Sequence, residues 1–385
     1  MRYLSLCSVA LFLLLAGCST ESPMPASQKA PQAVSQAAPP KLDMLPGMPP
    51  VIDPNNIYSE TTPDKFSPAV KGHRELIYVP NARGNDVSII DPKTLQVIDT
   101  IKAGKEPQHV VPSYDLKTLY ATNDLSNTLT AIDPVTGKFI KTIPVEDPYN
   151  LYFTPDGKYA IVVAERLRRL DFADPHTFKI VEQVKVPCRG VDHMDFSPDG
   201  RYLIATCEFS GELVKVDVAS RKVLGKLGTP GGGMPQDIKI SPDGKTWYVA
   251  DMDANGVHMI DGDKFVVTGF LASGKGAHGL YVSRDFKHIY VTNRGEGTVS
   301  LINLATRKLE DTKWVIPGGG SPDMGNVSAD GKMFWVSGRY HHVIYGFDTA
   351  SGKLVAKIKG GRNPHGLCVW PQPGRYSTGH TGVMR

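Results

Sequence analysis

Residues 289–316 read IYVTNRGEGTVSLINLATRKLEDTKWVI, and this stretch decides the fold because its pattern recurs along the chain. Relatives of it are IYVPNARGNDVSIIDPKTLQVIDTI at 77–101 and LYATNDLSNTLTAIDPVTGKFIKTI at 119–143. Each has an apolar strand that ends near Asn, a turn, a second strand, another turn and a third strand. Seven copies of this unit, with a period of about 42 residues, run from Leu76 to Arg375.

A fourth strand lies between successive copies and closes with a tight turn. The turn is visible in FTPDGK at 153–158, FSPDGR at 196–201, ISPDGK at 240–245 and VSADGK at 327–332. Four short strands in a repeat of about 40–45 residues are typical of a β-propeller blade. The sequence therefore predicts an all-β fold, a seven-bladed propeller around a central channel.

The ends of the repeat region predict how the ring closes. The first copy begins with the strand Ile77 to Pro80 and lacks an inner strand of its own, whereas the seventh ends with an extra inner strand, His365 to Trp370. We expect the C-terminal strand to complete the first blade, because this removes both free edges. The tail from Pro371 to Arg385 would lie across that seam.

The N-terminus carries a predicted targeting segment. Arg2 precedes an apolar run from Leu4 to Leu15, and Leu15-Ala16-Gly17-Cys18 matches the lipobox of bacterial lipoproteins. This predicts a signal peptide at 1–17 and lipid attachment at Cys18, which would bind the protein to a membrane. The resemblance to lipoproteins with Ser at the next position, here Ser19, implies the outer membrane, with the propeller in the periplasm or at the cell surface.

Residues 18–71 are rich in Pro, Ala, Ser and Gln, a composition that cannot bury enough apolar surface to fold alone. We interpret them as a tether whose stretch from Ile57 to Phe66 could dock on the propeller, which with its C-terminal tail spans 72–385. The formal net charge of +4 falls to +3 once Arg2 is removed, a balance that argues against a nucleic-acid partner.

Three cysteines lie in the repeat region: Cys188, Cys207 and Cys368. A hairpin around Pro198-Asp199-Gly200 would set Cys207 opposite about Asp192, close to Cys188. This register, in an envelope location, predicts a Cys188–Cys207 disulfide. The alternative is a pair of free thiols close to His193, suited to a soft metal such as copper or zinc. Cys368, in an apolar strand, is interpreted as a core residue.

The loops that lead into the inner strands carry the candidate site. The PDG turns lie on one face of a propeller, and these loops lie on the other. Each inner strand starts with a residue that is usually Pro. The residues that follow it, in blade order, are Gln108, Tyr149, Asp192, Gln236, His278, Asp323 and His365, and then His109, Asn150, His193, Asp237, Gly279, Met324 and Gly366. We call these two series the first and second columns of the repeat. Because the inner strands border the channel, both columns should lie at its mouth.

Three consecutive blades place His278, Asp323 and His365 at one level, and two imidazoles with a carboxylate are the ligand set of non-haem iron and related metals. His109 and His193 would add ligands for a metal or cofactor nearby. The alternative is structural: polar residues here can hydrogen-bond a neighbouring blade's loop and satisfy its backbone groups.

Arginines follow the second strands of several copies, among them Arg294 and Arg339. Guanidinium groups near one mouth suit an anionic ligand, such as a tetrapyrrole or quinone carboxylate. The alternative is that they pair with acidic neighbours on the rim. The predicted cofactor-binding residues are therefore His109, His193, Arg294 and Arg339.

The sequence resembles the YVTN-repeat β-propeller family of bacterial and archaeal envelope proteins. Tyr290-Val-Thr-Asn293 is its motif verbatim, and the resemblance covers Leu76 to Arg375. More distantly, it is similar to the haem-binding propeller of cytochrome nitrite reductase, which implies a tetrapyrrole on one face, and to propeller lactonases. The repeat specifies the fold and leaves the activity open.

We therefore expect a lipid-anchored envelope propeller that binds an envelope protein or a small anionic ligand at its His/Asp-lined funnel. The first alternative is a redox or cofactor-maturation protein that depends on a transition metal or tetrapyrrole. The second is a lactonase-type hydrolase. Whether the protein is an enzyme stays open at this point.

Overall fold

Seven antiparallel sheets form a ring in the computed structural model, which describes residues 43–385. The inner strands of neighbouring sheets contact one another around the ring. The predicted seven-bladed propeller is thereby confirmed. The predicted signal peptide, Cys18 and the start of the predicted tether lie outside the described residues.

The strands of a blade follow one another outward from the channel. Blade 1 contains β1 (Leu76–Asn81), β2 (Asp86–Asp91) and β3 (Gln96–Lys102). Blade 2 contains β4 (Pro107–Pro112), β5 (Leu119–Asn123), β6 (Thr128–Ile132) and β7 (Phe139–Pro144). Blade 3 contains β8 (Pro148–Phe153), β9 (Ala160–Ala164), β10 (Arg169–Ala173) and β11 (Ile180–Lys185). Blade 4 contains β12 (Val191–Phe196), β13 (Tyr202–Cys207), β14 (Glu212–Asp217) and β15 (Lys222–Gly228).

The remaining blades repeat the arrangement. Blade 5 contains β16 (Pro235–Ile240), β17 (Trp247–Asp251), β18 (Gly256–Asp261) and β19 (Val266–Leu271). Blade 6 contains β20 (Ala277–Val282), β21 (His288–Asn293), β22 (Thr298–Asn303), β23 (Lys308–Leu309) and β24 (Trp314–Val315). Blade 7 contains β25 (Pro322–Val327), β26 (Met333–Gly338), β27 (Val343–Asp348) and β28 (Leu354–Lys359). After them come β29 (Cys368–Trp370), β30 (Ser377–Gly379) and β31 (Val383–Met384). Short 3-10 helices lie at Ser59–Thr61, Pro68–Val70 and Asp124–Ser126.

The ring closes as the repeat predicts. β29 pairs with β1, with Leu76 opposite Trp370 and Tyr78 opposite Cys368, so the C-terminal strand is the inner strand of blade 1. Apolar side chains of blades 1 and 7, including Ile77 and Trp335, pack into one cluster across this junction. The free edges are thus removed by pairing and by shared core.

Burial explains the strand sequences. Inner strands such as β4 and β16 are buried at every residue, whereas the outer strand β15 alternates between exposed and half-buried residues. The PDG turns have a common local cause: Ser197 Oγ donates to Asp199 Oδ1 at 2.6 Å, and Asp199 Oδ1 accepts the Arg201 N–H at 3.1 Å. Gly200 adopts a φ of +71°, which a residue with a side chain rarely adopts.

The C-terminal tail departs from its expected position across the seam. Residues 376–385, called the C-terminal plug from here on, form a hairpin of β30 and β31 that pairs with β8 of blade 3, with Gly379 opposite Tyr152. Arg385 Nη2 lies 2.8 Å from the buried Asp195 carboxylate of β12. Two contacts hold the plug in the channel: its backbone extends the sheet of blade 3, and the Arg385 guanidinium pairs with Asp195.

Residues 43–71 lie against the face that carries the PDG turns. The N–H of Leu45 donates to the Asp199 carbonyl and that of Ile57 to the Pro242 carbonyl, each at 2.8 Å. Tyr58 and Ile57 pack in the core cluster of blades 4 and 5. Part of the stretch that composition assigns to the tether therefore contacts the propeller. Within residues 43–385, no helix is long and apolar enough to cross a membrane.

Candidate functional site

A break in strand pairing creates the funnel side chains. Five inner strands lose their register after the first residue, so that the next two residues leave the ladder. These pairs are Gln108–His109, Asp192–His193, Gln236–Asp237, His278–Gly279 and Asp323–Met324. Because such a bulge redirects side chains, the two sequence columns become the lining of the channel mouth.

The threonine of the YVTN pattern satisfies the displaced backbone. Thr122 Oγ1 accepts the N–H of His109 at 3.1 Å and donates to the Tyr149 carbonyl of the next blade at 3.0 Å. Thr206 and Thr292 likewise accept the N–H groups of His193 and Gly279, at 3.1 and 2.8 Å. The motif thus fixes the backbone from which the funnel histidines project.

Five histidines and Asp323 meet in the channel. His278, Asp323 and His365 form one group, called the arginine-side group from here on, whose ligand atoms lie within 4.8 Å of one another. His109, His193 and His380 form a second, called the three-histidine group, within the same distance. The rings of His109 and His365, 4.8 Å apart between centroids, join the two groups.

The arginine-side group brings together the three predicted metal ligands. Asp323 lies 3.1 Å from His278 and 3.6 Å from His365. Arg294 and Arg339 also contact its carboxylate, at 3.0 and 3.3 Å, so both carboxylate oxygens already have cationic partners.

The pKa values of this group follow from burial and the arginines. Burial alone would raise the pKa of Asp323, but His278, Arg294 and Arg339 together lower it to about 2. Burial first, and then the charge of Arg339, hold the pKa of His365 well below its usual range. Asp323 is therefore an ionised carboxylate and a weak base.

The three-histidine group has a different arrangement of partners. The Nδ1 atoms face the protein: that of His109 lies 3.0 Å from the Tyr149 carbonyl and that of His380 lies 3.1 Å from Asn150 Nδ2. His193 Nδ1 lies 2.7 Å from Asp192 Oδ1. The Nε2 atoms of His109 and His193 face each other at 3.4 Å, and His380 Nε2 has no hydrogen-bond partner.

Carboxylates surround the three-histidine group. Asp192 is fully buried; its Oδ1 contacts His193, and its Oδ2 has no hydrogen-bond partner. Burial, followed by repulsion from Asp192 and Glu208, raises the pKa of Glu165 to about 10. Burial and Asp192 raise the pKa of Glu208 to about 7. Burial would lower the pKa of His193, but Asp192 outweighs it and raises that pKa. This side of the channel therefore concentrates carboxyl groups, and each opposes the ionisation of its neighbours.

The predicted site residues have these positions. His109 and His193 lie together, and Arg294 and Arg339 pair with the acidic Asp323 rather than facing open solvent. Cys188 and Cys207 are disulfide-bonded, with Val191 rather than Asp192 opposite Cys207.

His380 is the site residue that sequence reasoning missed. It lies in the polar run STGHTG outside the repeat, where no period assigns it to the channel.

The burial of the five histidine side chains limits the kind of ligand that they can bind. Each of the five histidines is no more than 2% exposed. A tetrapyrrole needs a flat open slot beside its axial ligand, and these buried rings leave none, so the residues do not fit that cofactor. A bare metal ion fits, because it needs only converging nitrogen lone pairs and unpartnered polar atoms such as His380 Nε2.

The family model for YNCE-like beta-propeller proteins matches residues 12–373. This chain belongs to the YNCE-like β-propeller family. The match covers the seven repeats on which the YVTN resemblance rests. No curated protein matches the chain in sequence.

Solved structures share the fold. A chain of Kuenenia stuttgartiensis hydrazine synthase superposes with a TM-score of 0.64 at 19% identity, over 83% of this chain and 99% of that one. A putative 6-phosphogluconolactonase from Bacteroides uniformis gives 0.62 at 18%, over 77% and 100%. The dihydro-heme d1 dehydrogenase NirN, in complex with DHE, gives 0.59 at 14%, over 80% and 77%. At these identities the likeness shows the fold alone.

Proposed function

We propose that this family member is a lipid-anchored envelope propeller that binds a transition-metal ion in its histidine-lined channel. One observation carries the proposal: five buried imidazoles and a carboxylate converge near the channel axis, in two groups whose ligand atoms each lie within 4.8 Å. Imidazole nitrogen suits zinc, copper, iron and nickel. This many imidazole and carboxylate donors, buried close together, favour a metal ion as the ligand.

The protonation states support this proposal. Burial holds the pKa of His109, His278, His365 and His380 well below the usual range. Neutral imidazoles keep a lone pair on one nitrogen, which is the form that binds a metal. The hydrolase alternative has less support, because the carboxylate of Asp323 is held by two arginines and has a pKa of about 2.

Metal content tests the proposal. The full chain, purified without a histidine tag, is analysed for metals and then, after chelation, titrated with Zn²⁺, Cu²⁺ and Co²⁺. We expect stoichiometric uptake by the wild type. The double variant His109→Ala/His365→Ala removes one ring from each group and should abolish uptake wherever the ion sits. The exposed His176 provides the matched control, since His176→Ala should bind as the wild type does.

Two outcomes would contradict metal binding as the function: a wild-type chain that takes up no ion, or a double variant that takes it up unchanged. The membrane anchor is tested separately by labelling cells with a radioactive fatty acid. We expect label on the wild type and none on Cys18→Ser, with the wild type in the outer-membrane fraction. Label on both, or on neither, would contradict lipid attachment at Cys18.

A further inference from the structure

We infer that the ion is held by His109, His193 and His380, a three-histidine site that the C-terminal plug completes, and not by the arginine-side group. This inference rests on the proposed function and names the site within it. The ion is a divalent metal that favours imidazole, with copper and zinc as the leading chemistries. His380 comes from outside the repeat, so the blades alone supply two of its three ligands.

The orientation of the rings is the first argument. His109 Nδ1 faces the Tyr149 carbonyl at 3.0 Å and His193 Nδ1 faces Asp192 Oδ1 at 2.7 Å. A carbonyl or carboxylate on one ring nitrogen is the usual outer-shell partner of a metal-binding histidine, because it orients the ring and leaves the other nitrogen for the ion. The Nε2 atoms of these two rings are 3.4 Å apart.

The surrounding charge is the second argument. The buried carboxylate of Asp192 lies 2.7 Å from His193 on the three-histidine side, where it would attract a cation. On the other side two guanidinium groups meet the single carboxylate of Asp323. A divalent cation placed there would be repelled by both arginines and would compete with them for the same oxygens.

Unsatisfied polar atoms are the third argument. Asp192 Oδ2 and the Nε2 atom of His380 are buried without a hydrogen-bond partner. His365 Nε2 also lacks one, but it lies 3.6 Å from the Asp323 carboxylate. Buried polar groups in native proteins are nearly always satisfied, so the unpartnered Nε2 of His380 beside two further imidazoles indicates a missing ligand. Asp192 and His380 are at most 1% exposed.

Metal binding at this site is coupled to docking of the plug. The N–H of His380 donates to the Leu151 carbonyl at 2.9 Å, and Gly379 lies opposite Tyr152 of β8. The terminal Arg385 pairs with Asp195 of β12. If the ion binds His380 only in the docked state, bound metal must oppose withdrawal of the plug by mass action.

Affinity measurements on single variants separate the two groups. With Zn²⁺ or Cu²⁺ competed against a chromophoric chelator, His380→Ala should weaken binding by more than about 100-fold, and Asn150→Ala, which removes an outer-shell contact, by about 10-fold. His278→Ala should weaken it by less than about 10-fold. Strong loss in His278→Ala with none in His380→Ala would overturn the inference while leaving metal binding intact. A wild-type chain that binds no ion would remove the proposed function and this site together.

A second measurement uses the wild type alone, so it does not depend on a variant that folds. The backbone N–H of His380, which is hydrogen-bonded to Leu151, exchanges with solvent hydrogen only after the plug opens. Free metal at about 100 times its dissociation constant should slow that exchange about 100-fold. In His380→Ala the same metal should have no effect on exchange at this position. Equal exchange rates in the wild type with and without metal would overturn the inference.

Discussion

The arginine-side group and the three-histidine group have similar donor atoms but opposite surroundings. In the first, two arginines contact the carboxylate that the ligand set requires. In the second, the buried Asp192 lies 2.7 Å from His193, and no arginine among residues 43–385 forms an ion pair with it. The comparison teaches that ligand types at a shared level do not define a metal site. The charges in the next layer decide whether the donors are free to bind an ion.

The two groups also differ in how the chain builds them. His278 and Asp323 follow the first residues of β20 and β25, and His365 holds the same place in the repeat after Pro364, just before β29, so one column of the repeat contains all three. The three-histidine group takes His109 and His193 from the second column and His380 from the plug. A site that depends on the chain terminus can respond to whether that terminus is docked.

The largest difference between the groups should appear in stability. Asp323→Asn leaves Arg294 and Arg339 mostly buried without a counter-charge, and this should lower the free energy of unfolding by about 3–5 kcal/mol. Asp192→Asn on the other side should change it by only about 1 kcal/mol in either direction, because lost contact with His193 is offset by less repulsion among carboxylates. Chemical denaturation of the metal-free proteins measures both.

An equal loss of unfolding free energy in Asp323→Asn and Asp192→Asn would contradict the difference between the two groups. It would mean that Asp192 is as well compensated as Asp323, and that its carboxylate is not free to attract an ion. The substitutions are matched controls for each other, since both replace a fully buried aspartate at the same position of an inner strand.

The repeat predicted what is periodic and missed what is not. Blade number, closure through β29 and the two columns at the channel mouth all follow from a spacing that seven copies share. The sequence could not decide whether Arg294 and Arg339 bind a ligand or pair with an acidic residue such as Asp323. It predicts the loop in which each arginine lies, but not the direction of its side chain. His380 was missed because a single histidine among small polar residues carries no pattern, and its position depends on one strand pairing with β8.

The disulfide should have the next largest effect. Cys188–Cys207 links the loop before β12 to β13, and β12 carries Asp192 and His193. Cys188→Ala/Cys207→Ala should lower the free energy of unfolding by about 3 kcal/mol, because a cross-link over a loop of this size restricts the unfolded chain. A reductant should destabilise the wild type and leave the double variant unchanged. Equal sensitivity of both proteins to the reductant would contradict a stabilising disulfide.

The smallest effect concerns how the carboxylate side depends on pH. Burial and Asp192 raise the pKa of Glu208 from 4.5 to about 7, so the folded chain holds a proton that the unfolded chain releases near pH 4.5. Stability from this group is therefore present below pH 4.5 and is lost as the pH rises to about 7. In Glu208→Gln the side chain does not titrate, so the variant lacks this contribution at every pH. The difference in unfolding free energy, wild type minus variant, should fall across this window and stay constant above it.

Taking the difference between two proteins removes the opposite trend of the buried histidines, whose lowered pKa values destabilise the fold as the pH falls below 6.5. Glu310→Gln serves as the matched control, because Glu310 is on the outside of blade 6 and its pKa is lowered by Asn303 and His288. That variant should lose stability relative to the wild type only as the pH rises. A wild type and a Glu208→Gln variant with parallel profiles from pH 4 to 8 would show that folding does not raise the pKa of Glu208. The carboxylate side would then already be compensated without an ion.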